Sequence, residues 1–451
     1  MWKYLNSFHK IFFALCFLPG CITPQEKESD SSMPEFYRDD IAKPLQLDII
    51  PLEIKPVEDK TFSPSSLEEY PGGYFFRYLN AEKNSRLLSE FKLNKIWELK
   101  WQSPLDSALF PWFLLYANER ILVQNQSGWQ LFDTNGKMIS SSGRTDGNLS
   151  IDHKNNLFYQ NEFSGFLQAN NLNSGKTEFL VYPYFGKGYE RNVSWFNGNK
   201  FLCIGNELTV MTHKSASKEP DITLFEVTDI TNKSEIDPDK ILNSAQQIQK
   251  LILKAKNVKT AVSKETIVAA SDNFISLIDM NLNVKKIFQG KFIPMELSLD
   301  EQLNVYMIVK ATDANNINRF FIWMINQVGE LVRQTELPLK NENHEFYPPV
   351  VGTDFNTYII TGNKIFSVSP EGVLKSDNNL VDHSPGGSIT TNGYILVPEG
   401  NILTAMDSSG KRNYIYKFEE DHLYTPPILS PQNEIYIASK NFLYCLQIKQ
   451  N

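Results

Sequence analysis

The sequence predicts an all-β chain folded as an eight-bladed β-propeller, with seven blades as the alternative count. Three observations predict it. His344, His383 and His422 recur at a spacing of 39 residues, and each opens a similar unit. Within the units, short runs of β-branched and aromatic residues are broken about every ten residues by Asn, Asp, Gly or Pro, the pattern of antiparallel strands and tight turns. Finally, the last unit ends one strand short, while an unassigned strand precedes the first unit.

The three best units stand at the C-terminal end. One runs His344-Glu-Phe-Tyr-Pro-Pro-Val-Val-Gly-Thr-Asp, then Asn356-Thr-Tyr-Ile-Ile-Thr-Gly, then Lys364-Ile-Phe-Ser-Val-Ser-Pro-Glu-Gly. The next opens at His383 and continues through Gly393-Tyr-Ile-Leu-Val-Pro and Asn401-Ile-Leu-Thr-Ala-Met-Asp. The last opens at His422 and continues through Asn433-Glu-Ile-Tyr-Ile-Ala-Ser and Asn441-Phe-Leu-Tyr-Cys-Leu. Four strands in ~40 residues is the period of a propeller blade.

Five more degenerate units precede these. Their second strands are expected at Arg120–Gln124, Asn156–Gln160, Lys200–Ile204, Thr266–Ala270 and Asn304–Ile308. Third strands are expected at Gly128–Asp133, Gly165–Ala169, Asn273–Asp279 and Arg319–Met324. The orphan strand Lys95-Ile-Trp-Glu-Leu-Lys-Trp101 then completes the last blade and leaves no large open edge, which is how ring folds avoid edge-to-edge aggregation.

The Pro-Pro-Val and Pro-Pro-Ile strand starts, Asn433-Glu-Ile-Tyr-Ile-Ala-Ser439 and Phe442-Leu-Tyr-Cys-Leu446 resemble the repeats of the quinoprotein-type (PQQ-like) propeller family. The resemblance covers roughly Lys95 to Ile448. Within that family, a lipid-anchored single propeller is most similar to the lipoprotein of the outer-membrane β-barrel assembly machinery. It implies the fold strongly and a function weakly, because one propeller hosts many functions.

The lipid anchor is read from the N-terminus. Lys3 and Lys10 precede the apolar run Ile11–Leu18, and Leu18-Pro19-Gly20-Cys21 closes it. A basic head, a short apolar stretch and a small residue at the cut make a secretory signal over 1–20, too short to span a bilayer. Ending on Gly-Cys resembles a bacterial lipoprotein signal, with Cys21 the acylated first residue and Pro19 a departure from the commonest pattern. Residues 21–90 then read as an acidic, proline-dotted tether and N-terminal extension, and 91–451 as the propeller. Leu45–Ile54 reads as linker, given its flanking prolines, with a partner-binding strand as the alternative. The aromatics that return from Tyr74 to Leu93 are expected to pack on the ring.

Two segments interrupt the repeat. Asp237-Pro238 is a helix start, and Ile241, Ala245, Ile248 and Ile252 follow at helical spacing, so an amphipathic helical insertion is expected over about 237–254. The polar stretch Lys310–Asn318 reads as a long surface turn.

The chain carries 44 basic and 52 acidic residues, a net charge of −8, with no basic block, which argues against nucleic-acid binding. The membrane is expected to be met through the lipid anchor only. Cys203 and Cys445 sit alone in separate strand-like segments, so no disulfide framework is expected. The quinone enzymes that the resemblance brings in carry a vicinal cysteine pair over the cofactor, a Trp-lined pocket, acidic calcium ligands and a catalytic Asp. No Cys-Cys stands in this chain, and neither do zinc-type spacings, a Gly-x-Ser-x-Gly elbow or a phosphate-binding glycine loop. No cofactor, metal or catalytic residue is therefore expected. Trp112, Trp195 and Trp323 are read as staples between blades.

One set of residues stands out. His344, His383 and His422 occupy equivalent positions just before the innermost strands of consecutive blades, so all three face one end of the ring. Ordinary loop histidines are expected there, with a metal or pH-sensitive cluster at the channel mouth as the alternative. The function expected is that of a monomeric, non-catalytic scaffold for envelope proteins. A small-molecule sensor or quinone-type enzyme using the channel, and a surface adhesion protein, are the rival readings.

Overall fold

The strand grammar of the repeats is realised in a computed structural model that describes residues 89–450, apart from intervening segments of which 206–220 and 228–244 are the longest. The signal segment, Cys21 and the tether up to residue 88 lie outside the described residues.

The first strand, β1 (Trp97–Pro104), precedes every blade. Blade 1 is β2 (Pro111–Ala117), β3 (Arg120–Asn125), β4 (Gly128–Asp133) and β5 (Met138–Ser142). Blade 2 is β6 (Asp146–Asp152), β7 (Leu157–Asn161), β8 (Leu167–Asn171) and β9 (Thr177–Val181). Blade 3 follows with β10 (Arg191–Trp195), β11 (Lys200–Gly205), β12 (Asp221–Val227) and β13 (Ala245–Ile252). In blade 4 the strands are β14 (Lys259–Ser263), β15 (Thr266–Ala270), β16 (Phe274–Asp279) and β17 (Val284–Gln289). Those of blade 5 are β18 (Ile293–Leu299), β19 (Val305–Thr312), β20 (Asn318–Ile325) and β21 (Leu331–Leu337). Blade 6 has β22 (Val350–Val351), β23 (Thr357–Ile360), β24 (Lys364–Val368) and β25 (Leu374–Asn379). Blade 7 has β26 (Ser388–Ile389), β27 (Ile395–Glu399), β28 (Ile402–Met406) and β29 (Arg412–Lys417). Blade 8 has β30 (Ile428–Leu429), β31 (Ile435–Ala438) and β32 (Phe442–Ile448), and takes β1 as its fourth strand. Among the described residues these make eight four-stranded sheets, so the count is eight and not seven.

Burial follows position in the blade. Where their side chains are described, the second strands are buried on both faces, as in Ile435-Tyr-Ile-Ala438 and Thr357-Tyr-Ile-Ile360, because each such blade is sandwiched between two others. Each large apolar side chain so placed contributes ~1.5–3 kcal/mol. Outer strands are more exposed, as in Leu374-Lys-Ser-Asp-Asn-Asn379, where no residue is buried. Trp323 on β20 packs against Phe288 and Phe292 at ring-centroid distances of 5.6 and 5.2 Å, joining blade 5 to blade 4. The side chains of Trp112 and Trp195 lie outside the described residues.

The helix expected over 237–254 is corrected. Residues 245–252 are the strand β13, which gives blade 3 its outer strand, while 237–244 lie outside the described residues. The cause is a bulge: Leu224 pairs with Gln249 and Phe225 with Gln247, so Ile248 is the extra residue. An inserted residue breaks the two-residue alternation of a strand, and the apolar positions then fall at a spacing that imitates a helix. The same irregularity occurs in the outermost pairing of all eight described sheets, and in none of the second-to-third pairings. The turn expected over Lys310–Asn318 is also shorter than it reads, since β19 and β20 stay paired as far as Thr312 opposite Asn318.

At several described junctions the turn between the third and fourth strands of one blade presses on the outer strand of the preceding blade. The Thr335 hydroxyl on β21 donates to the Gly372 carbonyl at 2.7 Å, and the Asn378 amide on β25 donates to the Gly410 carbonyl at 3.4 Å. At Gly329 the contact is closest, because an added Cβ would lie 1.7 Å from the Ile287 carbonyl oxygen of β17.

Closure uses the same joint. The pairing of β1 with β32 runs antiparallel from Trp97 opposite Ile448 to Pro104 opposite Phe442. It is extended at both ends, by Lys449 N–H to Ile96 O and by Leu105 N–H to Asn441 O, each 2.8 Å. From β1, the Trp101 indole N–H donates to Thr134 O at 3.0 Å and the Ser103 hydroxyl to Gly136 O, which fastens blade 8 to blade 1. Tyr116 stacks on Tyr436 across that junction at 5.6 Å.

Gly329→Ala and Gly393→Ala separate the joint from ordinary turn strain. Both glycines have positive φ, 92° and 80°, which costs an alanine ~1–2 kcal/mol. Only at Gly329 does the new methyl meet backbone, whereas at Gly393 its nearest atom is 3.6 Å away. Thermal melts should show Gly329→Ala markedly the less stable of the two. Equal losses would contradict a tight turn-to-strand joint.

Candidate functional site

The histidine-bearing end of blades 6 to 8 is built by the connections that enter the inner strands and by the turns between second and third strands. His344, His383 and His422 do occupy equivalent places there. Their side chains are engaged separately. His344 sits edge-on to Phe320, with ring centroids 5.6 Å apart. The His383 Nε2 lies 3.0 Å from the Glu345 carboxylate, and the His422 Nδ1 lies 3.6 Å from the Asp382 carboxylate. Each of the latter two histidines thus reaches back to an acid on the connection entering the preceding blade. Both pairs are about half exposed, so each is worth well under ~1 kcal/mol.

The turns beneath leave room for these contacts. A Cβ on Gly362 would come within 2.9 Å of the His383 ring, and one on Gly400 within 2.8 Å of the Asp382 carboxylate. Ser384 N–H donates to Gly362 O at 2.8 Å, and Leu423 N–H donates to Gly400 O at 2.8 Å. Each incoming connection is therefore pinned by backbone to the turn of the blade before it.

The buried charge of this face is Glu399, whose carboxylate is fully covered. It accepts from the Val381 N–H at 2.7 Å, the Thr404 hydroxyl at 2.7 Å and Arg412 at 3.2 Å. Arg412 also donates to the Asn379 carbonyl. These three hydrogen bonds come from its own blade and from the segment crossing in from blade 6, which suits a fastening between blades. On the neighbouring strand edge, Asp421 accepts from Ser439, Asn441 and Tyr444. Burial first, and the bond to Asp421 second, hold the Tyr444 hydroxyl well above the usual tyrosine range.

An open groove of about 630 Å³ adjoins this face, lined by Asn401, Lys417, Phe418 and Glu419. Its floor is already in use, since Asn401 and Phe418 exchange two hydrogen bonds of 2.9 Å through the Asn401 carbonyl and side-chain amide. Cys445 is a buried free thiol on β32, and burial pushes its pKa far up, with Glu434 adding to the effect. It behaves as a small apolar side chain rather than a nucleophile. Cys203 lies on β11, with its side chain outside the described residues. Among the described residues no three His, Cys, Asp or Glu side chains stand together as a metal site.

Sequence reasoning found the histidines but missed their partners. Glu345 follows its histidine and Asp382 precedes its own, so the acids occupy different repeat positions and no periodic signal marks them. Glu399 was hidden for another reason, because it is the last residue of a strand whose other members are apolar.

No protein-family model matches the sequence, and no curated protein matches it either. Solved structures do match. BamB from Moraxella catarrhalis has a TM-score of 0.54 at 12% identity, over 78% of this chain and 100% of its own. A computationally designed protein, Ika8, has a TM-score of 0.53 at 9% identity, over 77% and 99%. Quinohemoprotein alcohol dehydrogenase from Comamonas testosteroni has a TM-score of 0.55 at 8% identity, over 84% and 82%. At such identities the likeness is one of fold, a β-propeller, and of fold alone.

Replacing His344, His383 and His422 together by Ala removes two exposed pairs and the edge contacts of His344 with Phe320 and Phe346. The expected change in Tm is at most about 3–4 °C, with the transition still cooperative. A metal bound stoichiometrically by the wild type and lost in the triple variant would contradict the separate engagement of the three rings.

Proposed function

We propose that this chain is a non-catalytic, lipid-anchored propeller that docks proteins in the bacterial cell envelope, with outer-membrane protein assembly as the process it serves. The observation that carries the reading is the match to BamB over that protein's whole length, on a chain whose N-terminus ends a signal-like run at Gly20-Cys21. Two further observations support it. The polar groups on the histidine-bearing face are spent on joining blades, and the vicinal cysteines of quinone enzymes are missing from the sequence.

A scaffold of this kind needs two things, an anchor and a face. Cys21 supplies the first, because a signal of this length cannot itself hold the chain in a bilayer. The rims and blade edges supply the second. A likeness to a quinohemoprotein dehydrogenase brings no chemistry with it, since function resides in a site and not in a fold.

The test is made on cell envelopes. Cys21→Ser should release the protein from the membrane fraction and abolish labelling by a fatty acid. Wild-type protein solubilised in detergent should co-elute with envelope proteins identified by mass spectrometry. Reconstitution with pyrroloquinoline quinone and calcium should give no dye-linked oxidation of alcohols or sugars. Equal fatty-acid labelling of both forms, or a quinone-dependent turnover, would overturn the proposal.

A further inference from the structure

The segment before β1 is seated on the ring as a peptide ligand would be. Ser89 to Leu93 crosses the junction of blades 7 and 8 at the end opposite the histidines, against the turns Thr390–Tyr394 and Ser430–Glu434. The Ser89 carbonyl accepts from Thr391 N–H at 3.2 Å, and the Ser89 hydroxyl donates to Ser430 O at 3.1 Å. The Asn392 carboxamide brackets Phe91, accepting from its N–H and donating to its C=O, both at 2.9 Å. The Thr390 hydroxyl donates to the Asn392 Oδ1 at 2.9 Å and holds that amide in place.

Only one strap side chain enters the ring deeply. Phe91 is 2% exposed, stacks on Trp97 at 5.3 Å and meets Tyr394 edge-on at 6.0 Å. Glu90 and Lys92 are exposed and ion-pair with each other. The notch therefore reads backbone groups, the Ser89 hydroxyl and one deeply buried aromatic ring, with Leu93 packed at its edge. Recognition of extended peptides works in this way, with main-chain hydrogen bonds for affinity and a pocket for selectivity.

The Asn392 position has counterparts that do something else. In blade 8 it is Gln432, which accepts from the Tyr116 hydroxyl, and in blade 6 it is Asp354, which bonds Asn356. In blade 7 the amide is given over to a segment that is not part of any blade.

We propose that this notch is a docking site for an extended partner segment carrying an aromatic residue, and that Ser89–Leu93 occupies it in cis. Strap and partner use the same hydrogen bonds and the same pocket, so one excludes the other. The proposal rests on the scaffold reading and names the partner chemistry for one of its faces. It can fail while co-elution from envelopes succeeds, and the reverse, because the probe here is a defined peptide.

The experiment uses the full chain and a fluorescent peptide copying residues 89–94. Phe91→Ala vacates the pocket and leaves β1 intact. Fluorescence anisotropy should show it binding the peptide at least about tenfold more tightly than the wild type, whose site is filled. A peptide with Ala in place of the Phe should not bind. Adding Thr391→Pro to Phe91→Ala should weaken binding, because it removes the donor to the Ser89 carbonyl; blade 8 carries Pro431 at that turn position, so the turn accepts the ring. If Phe91→Ala does not melt cooperatively, Phe91→Leu carries the same comparison. Absence of binding to a folded vacated variant up to millimolar peptide overturns the proposal. So does equal affinity for the wild type, or indifference to Thr391→Pro.

Discussion

The pairing of β1 with β32 is the contact on which the ring depends. A propeller stacks blades face to face, and each internal blade buries both faces on its neighbours. The first and last blades can do so only if the chain's two ends meet. Here they meet within one sheet, with Trp97 opposite Ile448 and Pro104 opposite Phe442. Cutting that ladder would leave a strand edge open and would loosen the buried cluster that includes Trp97, Leu114, Tyr436 and Cys445. The loop-closure cost of joining residues so far apart is entropic and grows only slowly with length, so a single hydrogen-bonded strand carrying two tryptophans can meet it.

Four other described junctions, those of blades 1–2, 4–5, 5–6 and 6–7, repeat one device at smaller scale. A turn from one blade lays a carbonyl or a bare Cα against the outer strand of the blade before. Gly175 would place a Cβ 2.3 Å from the Ser140 Cβ, and Gly329 would place one against the Ile287 carbonyl. The outer strands bend to receive these turns, and a bulge in each outer pairing supplies the bend and added twist. Turn, glycine and bulge are thus parts of one packing solution, and function is left to the surfaces that they do not occupy.

This division explains what could be read from the chain. Second strands and all third strands but Asp221–Val227 were legible because they form uninterrupted pairings of β-branched and aromatic residues, as in Ile435–Ala438 with Phe442–Ile448. Outer strands were not, since the bulge breaks their alternation, and Ala245–Ile252 passed for a helix on that account. Closure was legible because it is a matter of counting strands. The histidine end was legible in part: a 39-residue period fixes where His344, His383 and His422 stand, but Glu345 and Asp382 occupy unlike repeat positions. Asn392 gave no signal at all, because a turn asparagine is ordinary until another segment is found bonded to it.

The picture that follows is of a closed ring whose described polar contacts between blades serve assembly. The seam of that ring is also where the strap, Phe91 and β1 converge, so ring closure and presentation of the N-terminal segment are physically linked. Native-state amide hydrogen exchange measures this most directly. The amides of Trp97–Pro104 that bond to β32 should exchange as slowly as those of β31 and β19, at a rate set by global unfolding. Exchange of β1 orders of magnitude faster than the rest, with the other blades still protected, would mean that the ring stands without its N-terminal strand and would contradict the account.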